Sequence, residues 1–354
     1  MNKNNITILS IETTCDDTAI AICKYSGDSF IVLSNVISSQ IKEHNPFGGV
    51  VPELASREHI KNIIPVLDQA LKEADVKLGD LNYIAITNKG GGLIGSIVVG
   101  VETAKTLSYL LNIPIISVNH IRGHVLVSMI EKKDDKKYSI INPIYPMMAL
   151  TVSGGHTQII LIKNFIDWEV VGKTLDDAAG ECYDKVSKIL GLGYPGGPII
   201  SKMAASGDKT KINFPRPMIS SHDFNFSFSG LKTAVLYEVE KWKNGKMEKF
   251  SVEDICASSQ DAINDVLTKK SLKAIEKYSP KIFILAGGVA ANKDLRDRLK
   301  ENIEKNSDSK FMIPEIPNCM DNALMINIAA YFNLKNNIDI FDYKDININI
   351  ERKI

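Results

Sequence analysis

The sequence lacks three features that would each have narrowed its function. It has no net charge, because 42 basic and 42 acidic residues cancel, so no overall positive field favours nucleic acid and only a local basic patch could bind one. Its five cysteines form no Cys-x-x-Cys pair, which indicates reduced thiols in a cytosolic protein. No run approaches about 18 uninterrupted apolar residues and no signal-like segment opens the chain, so we expect a cytoplasmic protein without a membrane span.

The sequence does contain an internal duplication. A pattern of strand, polar turn and strand occurs twice, each time followed by a third strand-like run and later by a strand–helix pair. The paired segments are 6–23 and 147–162, 30–37 and 168–171, and 83–87 and 282–286. A chain of 354 residues is also long enough for two domains. We therefore predict an α/β protein built from two similar halves that face each other across a cleft.

Domain boundaries follow from the duplication and from a charged, proline-closed segment. Residues 132–137 are charged and are followed by Pro143 and Pro146, which is typical of a linker. The sequence thus predicts a first half at 1–143, a second half with a helical insertion at 144–330 and a C-terminal extension at 331–354. The extension alternates Ile, Asn and Asp without a strong period and predicts no particular structure.

Two histidines, His120 and His124, follow the short apolar run 113–118, which reads as a buried strand entering a helix. Residues four apart share one face of a helix, so both imidazoles could bind one metal ion at the carboxyl end of a strand. Taken alone, such a pair is more often two separate helix-start histidines. The pair therefore leaves both interpretations open.

Glycine-rich segments recur in both halves, at 90–95, 153–155 and 286–292. Glycine lets backbone amides approach an anion closely, and a helix N-terminus adds a favourable dipole. A single such loop is as often an ordinary tight turn. Three of them in mirrored positions favour a nucleotide or acyl-phosphate ligand between the halves.

The segment 174–190 predicts an amphipathic helix whose Thr-x-x-Asp start caps its own amides. A rigid Pro-Gly-Gly-Pro turn at 195–198 and a second, apolar helix follow at once. An acidic helix face is usually just solvated, but this succession favours a carboxylate aimed into a pocket.

These motifs, in this order, resemble the tRNA threonylcarbamoyladenosine-modification transferases, TsaD in bacteria with Kae-type relatives in archaea and eukaryotes. The matching segments are 10–18, 48–59, 120–124, 151–158, 175–181, 194–198, 226–233, 286–292 and 321–323. They cover roughly residues 6–330, and the segment 48–57 is similar to the bacterial branch in particular.

The resemblance implies an actin/Hsp70-like ATPase fold, with two duplicated RNase H-like halves around a central cleft. It implies transfer of a threonylcarbamoyl group from threonylcarbamoyl-adenylate to the N6 amine of the adenosine 3′ of the anticodon, in tRNAs that read ANN codons. It also implies the partners: tRNA, TsaB-like and TsaE-like proteins, and an upstream synthase that makes the adenylate.

The resemblance also implies the site residues. The metal ligands fall on His120, His124 and Asp321, a set that suits one divalent ion, with iron(II) favoured and zinc as the alternative. Glu12 is a candidate for proton handling. The positions for the adenylate, or for an ATP- or AMP-type nucleotide, are Thr151, Val152, Ser153, Gly154, Gly155, Asp184, Gly197, Ser201 and Asn292. The chain departs from the family pattern at Gly91, where a proline is usual, and at the preceding Asn88 and Lys89.

Three other classes compete with this interpretation. A zinc protease of the His-Glu-x-x-His type needs a glutamate beside the first histidine, where this chain has Ile121. An actin-like ATPase or kinase shares the phosphate loops but leaves the three metal ligands unexplained. A non-catalytic paralogue would be expected to lose His120 or Asp321, and both are present.

Overall fold

The computed structural model describes residues 5–243 and 250–349, and the chain divides into two compact units. The first unit comprises the described parts of Met1–His44, Val50–Pro143 and Met320–Ile354. The second comprises Asn45–Gly49 and Ile144–Cys319. Residues 320–330 therefore belong to the first unit, whereas the sequence assigned them to the second half.

The described chain alternates strands and helices, as an α/β fold requires. The strands are β1 (Ile6–Glu12), β2 (Asp17–Ser26), β3 (Ser29–Ser39), β4 (Tyr83–Lys89), β5 (Ile115–Asn119), β6 (Ile130–Asp134), β7 (Lys137–Ile140), β8 (Met147–Val152), β9 (Thr157–Ile162), β10 (Trp168–Lys173), β11 (Ile282–Ala286), β12 (Lys310–Met312) and β13 (Ile340–Phe341). The helices are α1 (Ile41–His44), α2 (Pro52–Ala74), α3 (Ile94–Leu111), α4 (His120–Leu126), α5 (Ala179–Leu190), α6 (Gly196–Ala204), α7 (Ser229–Lys243), α8 (Val252–Tyr278), α9 (Lys293–Asn306) and α10 (Ala323–Lys335).

The two sheets repeat one topology. In the first unit the order is β13-β5-β4-β1-β2-β3-β7-β6, and in the second it is β10-β9-β8-β11-β12. Each sheet contains three consecutive antiparallel strands, β1–β2–β3 and β8–β9–β10, with a parallel strand, β4 or β11, beside the first of them. This shared order confirms the duplicated α/β architecture predicted from the sequence.

Each unit has its own apolar core. In the first unit, residues of β1, β2 and β4 pack with α2 and α3, and in the second, β8, β9 and β11 pack with α5 and α8. Every residue of β8 and β9 is buried, as expected for central strands covered on both faces. Such strands read as continuous apolar runs, which is why the sequence predicts them well.

Two local predictions were wrong. The charged run at 132–137 is part of a hairpin in which Ile130 pairs with Ile140 and Lys132 with Tyr138. The helix expected from residue 174 begins at Ala179. The amide of Thr174 donates to the carbonyl oxygen of Thr157 over 2.8 Å, so this residue extends strand-like pairing instead of starting a helix.

Helix α10 and the following residues complete the first unit. Asn327 of α10 donates to the carbonyl oxygen of Ile8 over 2.9 Å and to Oγ of Ser10 over 3.0 Å. Strand β13 then pairs with the edge of β5, opposing Ile340 to Ile116. The described part of the C-terminal extension, for which the sequence predicted no structure, thus packs on this sheet.

Helix α3 is long and apolar enough to cross a membrane by length and composition alone. This is weak evidence, because core helices of soluble proteins pass the same test. In the first unit α3 contacts α2 and β4 and buries residues such as Ile97, Val101 and Ala104.

Candidate active site

Strand β5 and helix α4 position the two histidines. Asn119 ends β5, and its side-chain oxygen accepts hydrogen bonds from the amides of Ile121 and Arg122 over 3.0 and 3.2 Å. This cap starts α4 at His120. His120 and His124 therefore lie one turn apart on a buried face, with ring centroids 4.7 Å apart and ring planes at 83°.

Asp321 immediately precedes Asn322, the cap of α10, and its side chain lies beside the two histidines. Its Oδ1 lies 3.0 Å from Nε2 of His124 and 3.6 Å from Nε2 of His120. One ligand atom from each of the three side chains lies within 4.8 Å of the others. Gly123 allows this approach, since a Cβ there would lie 3.0 Å from Cδ1 of Ile326 in α10.

All three side chains belong to the first unit. The boundaries predicted from the sequence put Asp321 in the second half, so that a metal ion held by the three side chains would tie the halves together. That inference was wrong, because α10 packs on the first sheet.

The three side chains fit a divalent cation. His124 is 2 % exposed; its Nδ1 has no hydrogen-bond partner among the described residues, and its Nε2 faces Oδ1 of Asp321 at 3.0 Å. One carboxylate oxygen faces the Nε2 atoms of both imidazoles, at 3.0 and 3.6 Å, which is how ligands are arranged around a shared cation. Two imidazoles and one carboxylate form a donor set that suits iron(II) or zinc.

Glu12 supports His120 from behind. Its Oε2 accepts a hydrogen bond from Oγ1 of Thr87 over 2.6 Å and lies 3.4 Å from Nδ1 of His120, and its Oε1 accepts from the amide of Thr14 over 2.6 Å. Burial by itself raises the pKa of Glu12, but the neighbouring His120 outweighs burial and lowers it. A carboxylate on Nδ1 leaves Nε2 of His120 turned towards Asp321, as in carboxylate–histidine–metal arrangements.

The acidic groups of the surrounding turn ionise less readily than usual. Burial, reinforced by the Asp16 carboxylate, raises the pKa of Asp17 to about 7. Burial and Asp16 also raise the pKa of the Cys15 thiol well above its usual value. Because Asp321 contributes to both shifts, this corner of the first unit has a potential that favours a cation.

The metal-free protein should lose stability as the pH rises towards 9. Burial lowers the pKa of His120, but Asp321 and Glu12 outweigh it and raise the value to about 9. The folded-state pKa exceeds the unfolded value of about 6.5, so the stabilisation is full below pH ~6.5 and is lost as the pH rises through ~9. Urea unfolding should show a loss of about 3 kcal/mol across this window that is absent from His120→Asn. Parallel pH profiles for the two proteins would contradict this assignment.

The second unit holds the predicted glycine turn between β8 and β9. The amide of Ser153 donates to the carbonyl oxygen of His156 over 2.8 Å, and the carbonyl oxygen of Ser153 accepts from the amide of Gly180 over 3.2 Å. Gly154 and Gly155 are exposed, and a Cβ on either would meet no described atom within 4 Å. This exposed turn lies beside the start of α5, where the backbone of Ser153 and Gly154 packs closely against Gly180.

The two preceding positions are mostly enclosed. Val152 is fully buried in the core, so only its backbone is available to a ligand. Thr151 is 2 % exposed, and within the described residues its Oγ1 has no hydrogen-bond partner.

Helices α5 and α6 bring Asp184 beside Gly197. Oδ1 of Asp184 accepts a hydrogen bond from the amide of Gly196 over 2.7 Å at the start of α6. A Cβ on Gly197 would meet no described atom within 4 Å, and Ser201 follows one turn later on the same side of the helix. Asp184 therefore positions the start of α6, a structural role in addition to the one predicted.

Asn292 is occupied by its neighbours. Its Oδ1 caps α9 by accepting from the amide of Leu295 over 2.9 Å, and its Nδ2 donates to Oε1 of Gln260 over 2.8 Å. Asn264 donates a further hydrogen bond to Oδ1 of Asn292 over 3.2 Å. The side chain predicted to bind the nucleotide thus also holds the end of the loop that begins at Gly287.

Sequence reasoning missed Thr14 and Thr87, which hold Glu12, and Gln260 and Asn264, which hold Asn292. The sequence around a Thr or Asn in a turn or helix does not indicate which distant residue its side chain will hydrogen-bond. The register of the β1–β4 pair, with Ile11 opposite Ile86, is what brings Glu12 and Thr87 together.

The family model described as tRNA N6-adenosine threonylcarbamoyltransferase, TsaD, matches residues 31–328. A protein of that name from Persephonella marina is 48% identical over 339 residues, which cover 95% of this chain and 92% of that protein. Another, from Clostridioides difficile, is 44% identical over 333 residues, covering 94% of each.

Solved structures match at low identity. Component A of the (R)-2-hydroxyglutaryl-CoA dehydratase of Acidaminococcus fermentans is 14% identical with a TM-score of 0.52, covering 92% of this chain and 97% of that one. HypF of T. kodakarensis is 12% identical with a TM-score of 0.58, covering 95% of this chain and 48% of that one. These similarities show the actin/Hsp70-like ATPase fold expected from the sequence.

Proposed function

The chain belongs to the tRNA N6-adenosine threonylcarbamoyltransferase family, and we propose that His120, His124 and Asp321 form the metal centre of its transfer reaction. The enzyme transfers a threonylcarbamoyl group to the N6 amine of an adenosine in tRNA. The observation that carries the proposal is the convergence of one ligand atom from each of the three side chains, all within 4.8 Å of one another.

The finer substrates are also proposed. The donor is threonylcarbamoyl-adenylate, and the acceptor is the adenosine 3′ of the anticodon in tRNAs that read ANN codons. In this reaction the N6 amine attacks the carbamoyl carbonyl, and AMP leaves. Mass analysis of tRNA after incubation with isolated adenylate tests both assignments, and modification at any other nucleoside would contradict them.

The protein's own groups prepare the metal site. Two imidazoles and a carboxylate hold one divalent ion, with iron(II) favoured and zinc as the alternative. A bound ion supplies Lewis-acid polarisation of the carbamoyl carbonyl. The Asp16 carboxylate beside the site favours cation binding, and metal analysis of protein purified without added metal tests which ion is held.

Glu12 acts by positioning His120, and the sequence-based assignment to proton handling is less well supported. Both carboxylate oxygens of Glu12 are engaged by Thr14 and Thr87, and the side chain is fully buried. Glu12→Gln should therefore weaken metal binding by about 10- to 100-fold, the usual effect of losing a carboxylate behind a ligating histidine.

The matched variant is Glu43→Gln, an exposed glutamate of the same unit. It should leave metal affinity unchanged. If Glu12→Gln bound metal as tightly as the wild type but lost transfer activity, proton handling would be the better assignment.

The second unit supplies the nucleotide-binding groups in this proposal. The amides of the exposed residues Gly154 and Gly155 hold the adenylate phosphate, while Asp184, Gly197, Ser201 and Asn292 line the nucleotide. The exposed turn at the start of α5 supports this role. Gly155→Pro, which removes one of these amides, should lose AMP binding, whereas the control Gly79→Pro should retain it. Equal AMP binding by the two variants would contradict this nucleotide site.

The proposed partners are tRNA, TsaB-like and TsaE-like proteins and an upstream adenylate synthase, all in the cytoplasm. Exposed aliphatic side chains support a protein partner on the first unit: Ile60 and Ile64 lie on α2, and Ile94 and Val98 lie on α3, which contacts α2. Omitting one component at a time from a reconstituted reaction tests these partners. If transfer were complete without a given component, that component would not be a required partner.

A further inference from the structure

The chain segment after α10 is bound to the end of β4 through polar contacts. We call residues 336–349 the C-terminal strap. Nζ of Lys89 lies 2.8 Å from Oδ1 of Asp339, and both side chains are partly buried, with 29% and 24% exposure. Nδ2 of Asn88 donates to the carbonyl oxygen of Asn347 over 2.7 Å, and the amide of Asn349 donates to the carbonyl oxygen of Asn88 over 2.8 Å. The unusual Asn88 and Lys89 therefore contact the strap.

The strap also holds the end of β5. The carbonyl oxygen of Asp339 accepts from the amide of Ser117 over 2.8 Å, and β13 within the strap pairs with Ile115 and Ile116. Asn333, in the last turns of α10, donates to the carbonyl oxygen of Ser117 over 2.9 Å. Ile346 is 2 % exposed and anchors the strap in the core of the first unit.

These contacts lead directly to the start of α4. Oδ1 of Asn88 in β4 accepts a hydrogen bond from Oγ of Ser117 in β5 over 2.6 Å. This bond joins the two strands at the residues that the strap contacts. The next residue but one, Gly90, has a φ of +96°, and a Cβ there would lie 2.6 Å from Oδ1 of Asn119. Asn119 is the cap that sets the first turn of α4 and hence His120.

The strap and Asp321 are also parts of one continuous segment. Asp321 precedes the cap of α10, and the strap begins where α10 ends at Lys335. One stretch of chain thus carries the carboxylate ligand at one end and fixes the strand that precedes the two histidines at the other.

We propose that Lys89 and Asp339 are positioning residues, whose ion pair holds the strap on the β4–β5 edge and thereby sets His120 and His124 against Asp321. The inference rests on the proposed metal centre for its catalytic meaning. The ion pair does not touch the ligands and acts through Ser117 and the Asn119 cap.

The test uses the full-length protein with Lys89→Met, Asp339→Asn and, as a conservative variant, Lys89→Arg. Asparagine suits position 339, where φ is +58°, because it tolerates this backbone region. The matched controls are Lys335→Met and Asp28→Asn, which break another ion pair of the first unit. In that pair, Nζ of Lys335 lies 2.7 Å from Oδ1 of Asp28.

Two readouts separate positioning from general stability. The first is the set of imidazole NMR signals of the metal-free protein, which has six histidines. The second is the affinity for Zn²⁺ or Co²⁺ in a competition titration. Lys89→Met and Asp339→Asn should shift the His120 and His124 signals and weaken metal binding about tenfold, whereas Lys89→Arg and both controls should match the wild type.

Unchanged His120 and His124 signals in Lys89→Met and Asp339→Asn would overturn the proposal, whatever happens to the melting temperature. Equal shifts in the controls would overturn it as well, because they would reveal general loosening. If the wild type bound no metal while the signals shifted as expected, the proposed metal centre would fail and the positioning role would stand.

Discussion

His124→Ala should lower metal affinity and threonylcarbamoyl transfer by more than about 100-fold, which exceeds the usual effect of losing a group behind the ligands. His124 is buried, and its Nε2 lies 3.0 Å from Oδ1 of Asp321. Removing it deletes one of three ligands and leaves the Asp321 carboxylate facing a cavity. A metal titration of the metal-free protein and a tRNA modification assay measure the two losses.

His222→Ala is the control for this variant, because His222 is exposed in the second unit. It should bind metal and modify tRNA as the wild type does. Retention of tight metal binding by His124→Ala would remove His124 from the ligand set.

Gly287→Ala should destabilise the second unit by about 3 kcal/mol or more, through strain and a backbone clash. Gly287 has a φ of +89°, and a Cβ there would lie 2.5 Å from the carbonyl oxygen of Val152. Val152 belongs to the fully buried strand β8, so neither backbone can move aside cheaply. Urea unfolding monitored by a probe in the second unit measures the change.

Gly191→Ala separates strain from the clash. Gly191 has a φ of +71°, but a Cβ there would meet no described atom within 4 Å. This variant should cost about 1 kcal/mol, the penalty of a left-handed residue alone. Equal losses at Gly287 and Gly191 would show that the contact with Val152 is unimportant.

The sequence predicts the architecture well because the repeated pattern is local. Each hairpin, third strand and strand–helix pair can be recognised within about 20 residues from apolar runs and turn residues. The helix start at His120 is equally local, since Asn119 caps it and an apolar strand precedes it.

The placement of Asp321 could not be predicted in the same way. Every residue of 323–333 in α10 is buried, so the helix has no polar face that shows which sheet it covers. Its position is set by specific contacts, such as Asn327 with Ile8 and Ser10, between residues more than 300 positions apart. The strap could not be predicted for the same reason, because its polar residues contact Asn88 and Lys89, which lie about 250 positions earlier in the chain.

The central claim is that transfer depends on the three-residue group of the first unit. The most direct measurement compares the wild type with Asp321→Asn, a nearly isosteric change that removes the ligand's charge, in one reconstituted reaction of tRNA, threonine, bicarbonate, ATP and the partner proteins. The account predicts threonylcarbamoyladenosine in the tRNA with the wild type and less than about 1% of that rate with Asp321→Asn, a loss larger than groups behind the ligands cause. A rate with Asp321→Asn equal to that of the wild type would contradict it.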